Sequence, residues 1–352
     1  MIEHIMKKIT ENQMTWSDYE ELISYDFQEI ESVLKYAYNL KVQNFGKRLK
    51  IYIPNLKFPA ISITGSECAL NCEHCNKKYL ENMKPLLTNT DLKQFLINHH
   101  KEGGVGALIS GGCDPNGAVP LKDFLNTIKE VKQETNLIIN IHTGLINEDT
   151  AIQLKDTSAD IISFDINMDE LIIKDIYHLD KTVEDYKHSL ELLQKNSLNI
   201  VPHICFGLYY GRIHEELKSI KFIKDSIPNP SLIVIIALIP PKNSDFEIPK
   251  PEDISKLIAV IRLIFPQTEI SLGCMRPRGS VKMEIEQLAF KAGITRIEIP
   301  SKSTLQWIKK YDPNVSFEFY SACCAIPEKY ENKATSKAED IRSYTLFLNG
   351  EN

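Results

Sequence analysis

The chain has 352 residues, 43% of them apolar and 25% charged, the ordinary balance of a soluble globular protein and long enough for one barrel of about 250 residues with extensions. A net charge of −6 removes any general reason to expect nucleic-acid binding, though not a local basic patch. The strongest apolar run, Leu232 to Pro241, is far too short to cross a bilayer and reads as a buried strand, so no membrane span is expected.

The N-terminus, Met-Ile-Glu-His-Ile-Met-Lys-Lys, lacks the charged, apolar and small-residue order of a secretory signal, and the expected location is the cytoplasm. Residues 1–58 read as a helical extension. Ser17 and Glu20 have the spacing of a capping box, and Tyr19, Leu22, Ile23, Ile30, Val33, Leu34 and Tyr36 follow helical periodicity. Ile51 to Pro54 allows a short strand. From there strands and helices alternate. The strand candidates are Ala60–Thr64, Gly106–Ser110, Leu137–His142, Asp160–Ile166, Ile200–Phe206, Leu232–Ile239, Glu269–Leu272 and Arg296–Ile299. The helix candidates between them are Thr90–His100, Leu121–Thr135, Val183–Gln194, Ile213–Ser226, Pro251–Ile264 and Val281–Ala292. Several strands are near-continuous Ile, Val and Leu, as strands of a buried parallel sheet are. The alternation predicts an α/β fold with a (β/α)8 barrel of the TIM type, full or slightly open, over residues 59–312. An open doubly wound sheet is the alternative. Residues 313–352 break the pattern and read as a tail or lid carrying Cys323 and Cys324.

The most informative motif is Cys68-Ala-Leu-Asn-Cys72-Glu-His-Cys75, a C-x3-C-x2-C spacing. Three thiolates so close can hold three irons of a [4Fe–4S] cluster and leave the fourth open to a substrate or cosubstrate. A structural zinc site needs a fourth Cys or His ligand, and only His74 offers one nearby. Eight cysteines in a cytosolic chain favour metal or redox chemistry over disulfides. In a barrel the active site lies at the carboxyl ends of the strands. The cysteine loop follows the first barrel-strand candidate, and Ser110-Gly111-Gly112-Cys113-Asp114 the second. His142, Asp165 with Asn167, His203 with Cys205, and Cys274 with Arg276 and Arg278 stand at later strand ends. One mouth should therefore collect them.

Placed after the first strand of such a barrel, C-x3-C-x2-C resembles the radical S-adenosylmethionine (SAM) superfamily. The resemblance implies that Cys68, Cys72 and Cys75 ligate the SAM-binding [4Fe–4S] cluster. It implies SAM contacts from Gly111, Gly112 and Asp114, with Cys113 where an acidic residue is usual and His74 where an aromatic often stands. Asp165 and Asn167 stand where the family places polar groups for the ribose, or cap their strand end; Arg276 offers a grip for a carboxylate of SAM or substrate.

A narrower resemblance runs through Ser62 to Gly65, Ser110 to Gly117, Asn140 to Gly144, Val201 to His203 and Cys274 to Gly279. These stretches are similar to biotin-synthase-like proteins of archaeal type, some of which act as two-component lipoyl synthases. That implies sulfur insertion into an octanoyl chain on a lipoyl-domain protein, with a companion lipoyl synthase component and an electron donor such as ferredoxin or flavodoxin. Sulfur insertion needs a sulfur source. Cys113, Cys274, Cys323 and Cys324 are the expected ligands of an auxiliary [4Fe–4S] cluster, while Cys205 reads as core filling. The alternatives are a biotin-synthase-like or cofactor-maturation enzyme with another substrate, and a non-catalytic iron–sulfur protein. No residue is singled out as a catalytic acid, base or nucleophile.

Overall fold

The computed structural model describes residues 2–348; Met1 and residues 349–352, the ends of the expected N-terminal extension and C-terminal tail, lie outside the described residues. Three helices come first: α1 (Ile2–Thr10), α2 (Trp16–Ser24) and α3 (Glu31–Phe45). The capping box of α2 lies two residues earlier than the expected Ser17 and Glu20. Thr15 donates its backbone N–H to Asp18 at 2.8 Å, and Asp18 returns its own to Thr15 Oγ1 at 3.4 Å. Lys8 of α1 reaches the same carboxylate at 2.6 Å, so the box also joins two helices.

The sheet begins with β1 (Arg48–Tyr52), β2 (Ala60–Ser62) and β3 (Lys84–Pro85), followed by α4 (Asn89–Lys101) and β4 (Gly106–Ser110). After α5 (Leu125–Glu134) come β5 (Ile138–His142), α6 (Glu148–Asp156), β6 (Ile161–Asp165), α7 (Val183–Lys195) and β7 (Ile200–Phe206). The series continues with α8 (Glu216–Ser226), β8 (Leu232–Ala237), α9 (Pro251–Ile264), β9 (Glu269–Leu272), α10 (Ser280–Lys291) and β10 (Arg296–Glu298). It closes with α11 (Lys302–Tyr311), β11 (Ser316–Tyr320), α12 (Glu331–Ala334) and α13 (Arg342–Leu348).

All pairings are parallel, and the strands form one sheet in the order β11-β1-β10-β9-β8-β7-β6-β5-β4-β2-β3. The order is linear, so the ladder does not close: the fold is the α/β barrel expected from the alternation, in its open form. β1, inside the region read as a helical extension, is an integral strand paired with β10 on one side and β11 on the other. Among the described residues no helix is long and apolar enough to cross a membrane.

Period-2 alternation sorts each strand into two faces. Outward residues such as Ile61, Ile109, Ile141, Ile162, Ile204, Ile235, Leu272 and Ile297 join the helices in the main core. Inward residues Tyr52, Ile138, Ile161, Val201, Leu232 and Val234 form a second cluster inside the barrel. Phe58 and Tyr320 join them, and the chain after β11 adds Ala322, Cys324, Ala325, Ile326 and Ala334. The C-terminal segment thus plugs the interior. A buried charge cage holds it there. Lys50 lies 2.8 Å from both Glu269 and Glu331, Arg296 lies 2.8 Å from Glu331 and also contacts Glu269, and Arg296 donates to the carbonyls of Cys324 and Ile326.

Candidate cofactor site in the barrel lumen

The cysteine loop leaves β2 and is held by backbone bonds to the loop after β4 and to a helical turn in the segment after β6. Ala69 donates to the Cys113 carbonyl at 2.7 Å, and Glu73 to the Ile176 carbonyl at 2.8 Å. Within the loop, Cys75 and Asn76 both donate to the Cys72 carbonyl, which winds Cys72 and Cys75 into one turn. Gly112 is required by this packing. A Cβ there would stand 2.1 Å from the Glu67 carbonyl oxygen and 2.5 Å from Cys68 Cβ. Its N–H goes to Thr64 Oγ1 at 2.7 Å. The glycine pair therefore lets the cysteine loop lie directly on the end of β4.

The three thiols converge. Burial pushes Cys72 up to about 12, and thiolate charge on Cys75 and Cys68 adds to the rise; Cys75 is raised by burial and again by Cys68. Cys68 moves the other way, down to about 6, because the Cys113 thiol hydrogen-bonds it and the Cys113 backbone N–H, 3.2 Å away, donates to its Sγ. Soft sulfur donors in a C-x3-C-x2-C turn, with a backbone N–H aimed at one sulfur, suit an iron–sulfur cluster.

Beside the loop lies a cavity of about 280 Å³, walled mainly by apolar and aromatic side chains, among them Leu70, Tyr177, Leu179, Tyr186 and Leu208. Cys72, Cys113, Asp165, Asn167 and Cys205 supply its polar lining. Among the described residues Asn167 Nδ2 and His74 Nδ1, both of residues lining this cavity, are buried with no partner. Buried polar atoms are rarely left unmatched. These two unmatched groups fit a polar ligand such as SAM. His74 packs against Tyr177 at 5.2 Å, so an imidazole takes the place of the more usual aromatic; burial holds it down to about 4. Tyr177 follows an unusually wide helical turn, Ile172–Ile176, whose Ile172 carbonyl accepts from the Tyr177 amide. Its own carbonyl accepts from Cys72 Sγ at 3.6 Å. Nothing in the amino-acid pattern singles Tyr177 out.

The remaining predicted residues divide. Asp165 is on the lumen side, 3.9 Å from His142 Nδ1. Asp114 engages one carboxylate oxygen in capping its own turn, accepting from Asn116 at 2.8 Å and Ala118 at 3.1 Å. Arg276 is a correction. It is 2% exposed, lies 2.6 Å from the Glu286 carboxylate and donates to the carbonyls of Gly273, Glu298 and Ile299. Its donors are used in tying the loop after β9 to the end of β10, so it holds no carboxylate of a ligand.

The four expected auxiliary ligands do not form one group. Cys113 stands against Cys68. Cys274, Cys323 and Cys324 meet elsewhere, around Glu298 of β10. Ligand atoms of Glu298, Cys323 and Cys324 lie within 4.8 Å of one another. Cys323 Sγ lies 4.0 Å from the Glu298 carboxylate, and Cys324 N–H donates to its Oε2 at 3.1 Å. Burial raises both the Cys274 thiol and the Glu298 carboxyl, while the hydrogen bond to Cys323, followed by burial, raises Cys324. Cys274 itself is exposed, beside the closer group of Glu298, Cys323 and Cys324. Three thiols and a carboxylate fit a second iron–sulfur cluster in donor type. Glu298 was missed in the sequence because Arg-Ile-Glu in a short strand reads as surface charge.

The chain is similar to known proteins over most of its length. The model of the radical SAM superfamily matches residues 62–225, and that of the biotin and thiamin synthesis associated domain matches residues 230–344. A biotin synthase of Coxiella burnetii is 26% identical over 251 residues, covering 67% of this chain and 74% of the relative. A biotin synthase of Staphylococcus haemolyticus is 24% identical over 271 residues, covering 74% and 81%. Among solved structures, methylornithine synthase superposes with a TM-score of 0.61 at 18% identity, covering 97% of this chain and 99% of that one. The FeFe-hydrogenase maturase of Carboxydothermus hydrogenoformans gives 0.68 at 14% identity, covering 100% and 86%; at these identities the likeness speaks for the fold alone.

Proposed function

We infer that the chain is a radical SAM protein of biotin-synthase-like type, and from that premise we propose that it inserts sulfur into an octanoyl chain carried on a lipoyl-domain protein. It would act as one component of a two-protein lipoyl synthase, in the cytoplasm, with ferredoxin or flavodoxin as reductant. The observation that carries this reading is the gathering of Cys274, Cys323 and Cys324 inside the same barrel as the cysteine loop. A sulfur-inserting enzyme needs a donor as well as a radical source, and the chain holds a second thiol-rich group where a donor cluster would be of use.

Cys68, Cys72 and Cys75 would hold the [4Fe–4S] cluster, with SAM at its open iron. When bound, this pair supplies a 5′-deoxyadenosyl radical able to abstract hydrogen from an unactivated carbon. The chain's own residues do the rest. Asn167, with a free buried amide, and Asp165, on the lumen side, are placed to orient the cosubstrate. Leu70, Tyr177, Leu179 and Leu208 wall an apolar cavity suited to an aliphatic chain, and they keep water from a reactive intermediate. Cys274, Cys323 and Cys324 would hold the sulfur-donating cluster.

A second reading, biotin-synthase-like chemistry on another substrate, is favoured by the biotin synthases among the relatives. Mass spectrometry of an octanoyl-lysine peptide, incubated anaerobically with reductant, SAM and a companion component, separates the two. Thiolated peptide is expected. An unchanged peptide under conditions that release 5′-deoxyadenosine would leave the second reading standing. Alanine at Cys68, Cys72 and Cys75 should abolish 5′-deoxyadenosine release. Alanine at Cys323 or Cys324 should leave release intact and stop thiolation.

A further inference from the structure

Among the described residues five glutamates are buried: three have cationic partners, Glu216 accepts the backbone N–H groups of Gly207 and His214, and the fifth is Glu298. Glu269 and Glu331 pair with Lys50 and Arg296, and Glu286 pairs with Arg276. Glu298 differs. It is 4% exposed, and among the described residues no lysine or arginine side chain forms an ion pair with its carboxylate. Arg276 approaches it but spends its hydrogen bonds on the Glu298 main-chain carbonyl and on Glu286. The carboxylate accepts from the Cys324 N–H at 3.1 Å, and Cys323 Sγ lies 4.0 Å away. An isolated buried carboxylate is unfavourable unless something compensates its charge. A metal centre held by the neighbouring thiolates would do so.

We propose that Glu298 is the fourth ligand of the second cluster, completing a site of three thiolates and one carboxylate with Cys274, Cys323 and Cys324. The inference rests on the second cluster proposed above. It adds a residue to that cluster and a property to the site. Carboxylate oxygen is a harder donor than thiolate and suits iron–sulfur iron less well, so the iron it holds has the most exchangeable coordination position. The fold fixes where that position is. Glu298 sits on β10 beside Tyr52 of β1, and Arg276 clamps the Glu298 carbonyl to the loop that carries Cys274. One guanidinium therefore ties the backbone that carries Glu298 to the loop that carries Cys274.

The test uses the full-length chain with Cys68, Cys72 and Cys75 all replaced by alanine, so that only the second site is observed. Purified anaerobically and reconstituted with iron and sulfide, this protein should carry about four irons per chain with a [4Fe–4S] Mössbauer signature. E298A in the same background should drop to about three irons and give the electron-paramagnetic resonance signal of a [3Fe–4S] cluster. E298Q, which keeps the shape, should behave like E298A, and E298C should restore about four irons with an altered spectrum. Circular dichroism checks the fold, and if E298A does not fold, E298Q and E298C decide. An E298A or E298Q protein with the iron content and spectra of the background would overturn the role of Glu298 while leaving the second cluster in place. A background protein without iron, or with one zinc in its stead, would overturn the second cluster and this ligand together.

Discussion

The imidazoles of His142 and His203 meet edge to face inside the barrel, 4.9 Å between centroids. His203 Nδ1 lies 3.0 Å from the Val201 carbonyl, and since a carbonyl only accepts, that nitrogen carries the proton of the neutral ring. Burial, and then the neighbouring His142, hold His203 down to about 4 from an ordinary 6.5. An unfolded chain takes up this proton near 6.5, whereas the folded one refuses it until about 4. The unfolded state thus binds more protons between these values, and stability falls as the pH falls through that window. From pH 6.5 to 5 the loss from this residue is on the order of 2 kcal/mol. H203Q should flatten that part of the stability profile, measured by denaturant unfolding at a series of pH values. An unchanged slope in the variant would show that His203 is not the group responsible. Residue identity alone could mark His203 as a strand-end polar group. Its neutrality comes from neighbours on other strands, which no local pattern displays.

Among the elements, the strands of the central barrel were the most legible. β4, β7 and β9 have the expected bounds, and the others differ only by a residue or two at their ends. Their outward faces are nearly all Ile and Leu, a signal that needs no knowledge of partners. β11 was hidden, and β1 was legible only at its end, as the short strand expected at Ile51 to Pro54, for the opposite reason. Arg48-Leu-Lys-Ile-Tyr carries an inward lysine, which reads as solvent-facing until Glu269 and Glu331 are brought beside it. β11 pairs with β1 from the far end of the chain, so neither strand has a local partner to announce it. The segment after β11 was legible as something that folds back, though its place inside the barrel was not. The charge cage anchors that segment, and Glu331 is its centre, touching Lys50, Arg296 and the Tyr52 hydroxyl at 2.6 Å. E331A leaves two buried cations short of a partner and should cost about 3–5 kcal/mol in denaturant unfolding. It should also quicken alkylation of Cys324, which is 2% exposed in the intact plug. If the alkylation rate does not change, the cage is not what keeps the plug seated.

At the scale of the whole molecule, the barrel wall and its contents do different work. The wall is a continuous apolar layer between sheet and helices, and it fixes the geometry. The carboxyl ends of the strands carry the reactive groups: the cysteine loop after β2 with the apolar cavity beside it, and Cys274 after β9 with Glu298 at the end of β10, next to Cys323 and Cys324 of the plug. If this second group carries the transferable sulfur, the donor is part of the protein and is consumed by use. Each chain should then perform a single turnover unless its donor is rebuilt. Protein reconstituted with isotopically heavy sulfide, freed of excess sulfide and given octanoyl-lysine peptide should place the heavy isotope in the product. Product should level off at no more than one thiolation per chain, while 5′-deoxyadenosine release continues beyond it. Product that goes on accumulating with light sulfide from solution, and carries none of the heavy label, would mean that the sulfur does not come from the lumen. The plug would then be a structural closure with cysteines in it, and the cavity alone would define what the enzyme acts on.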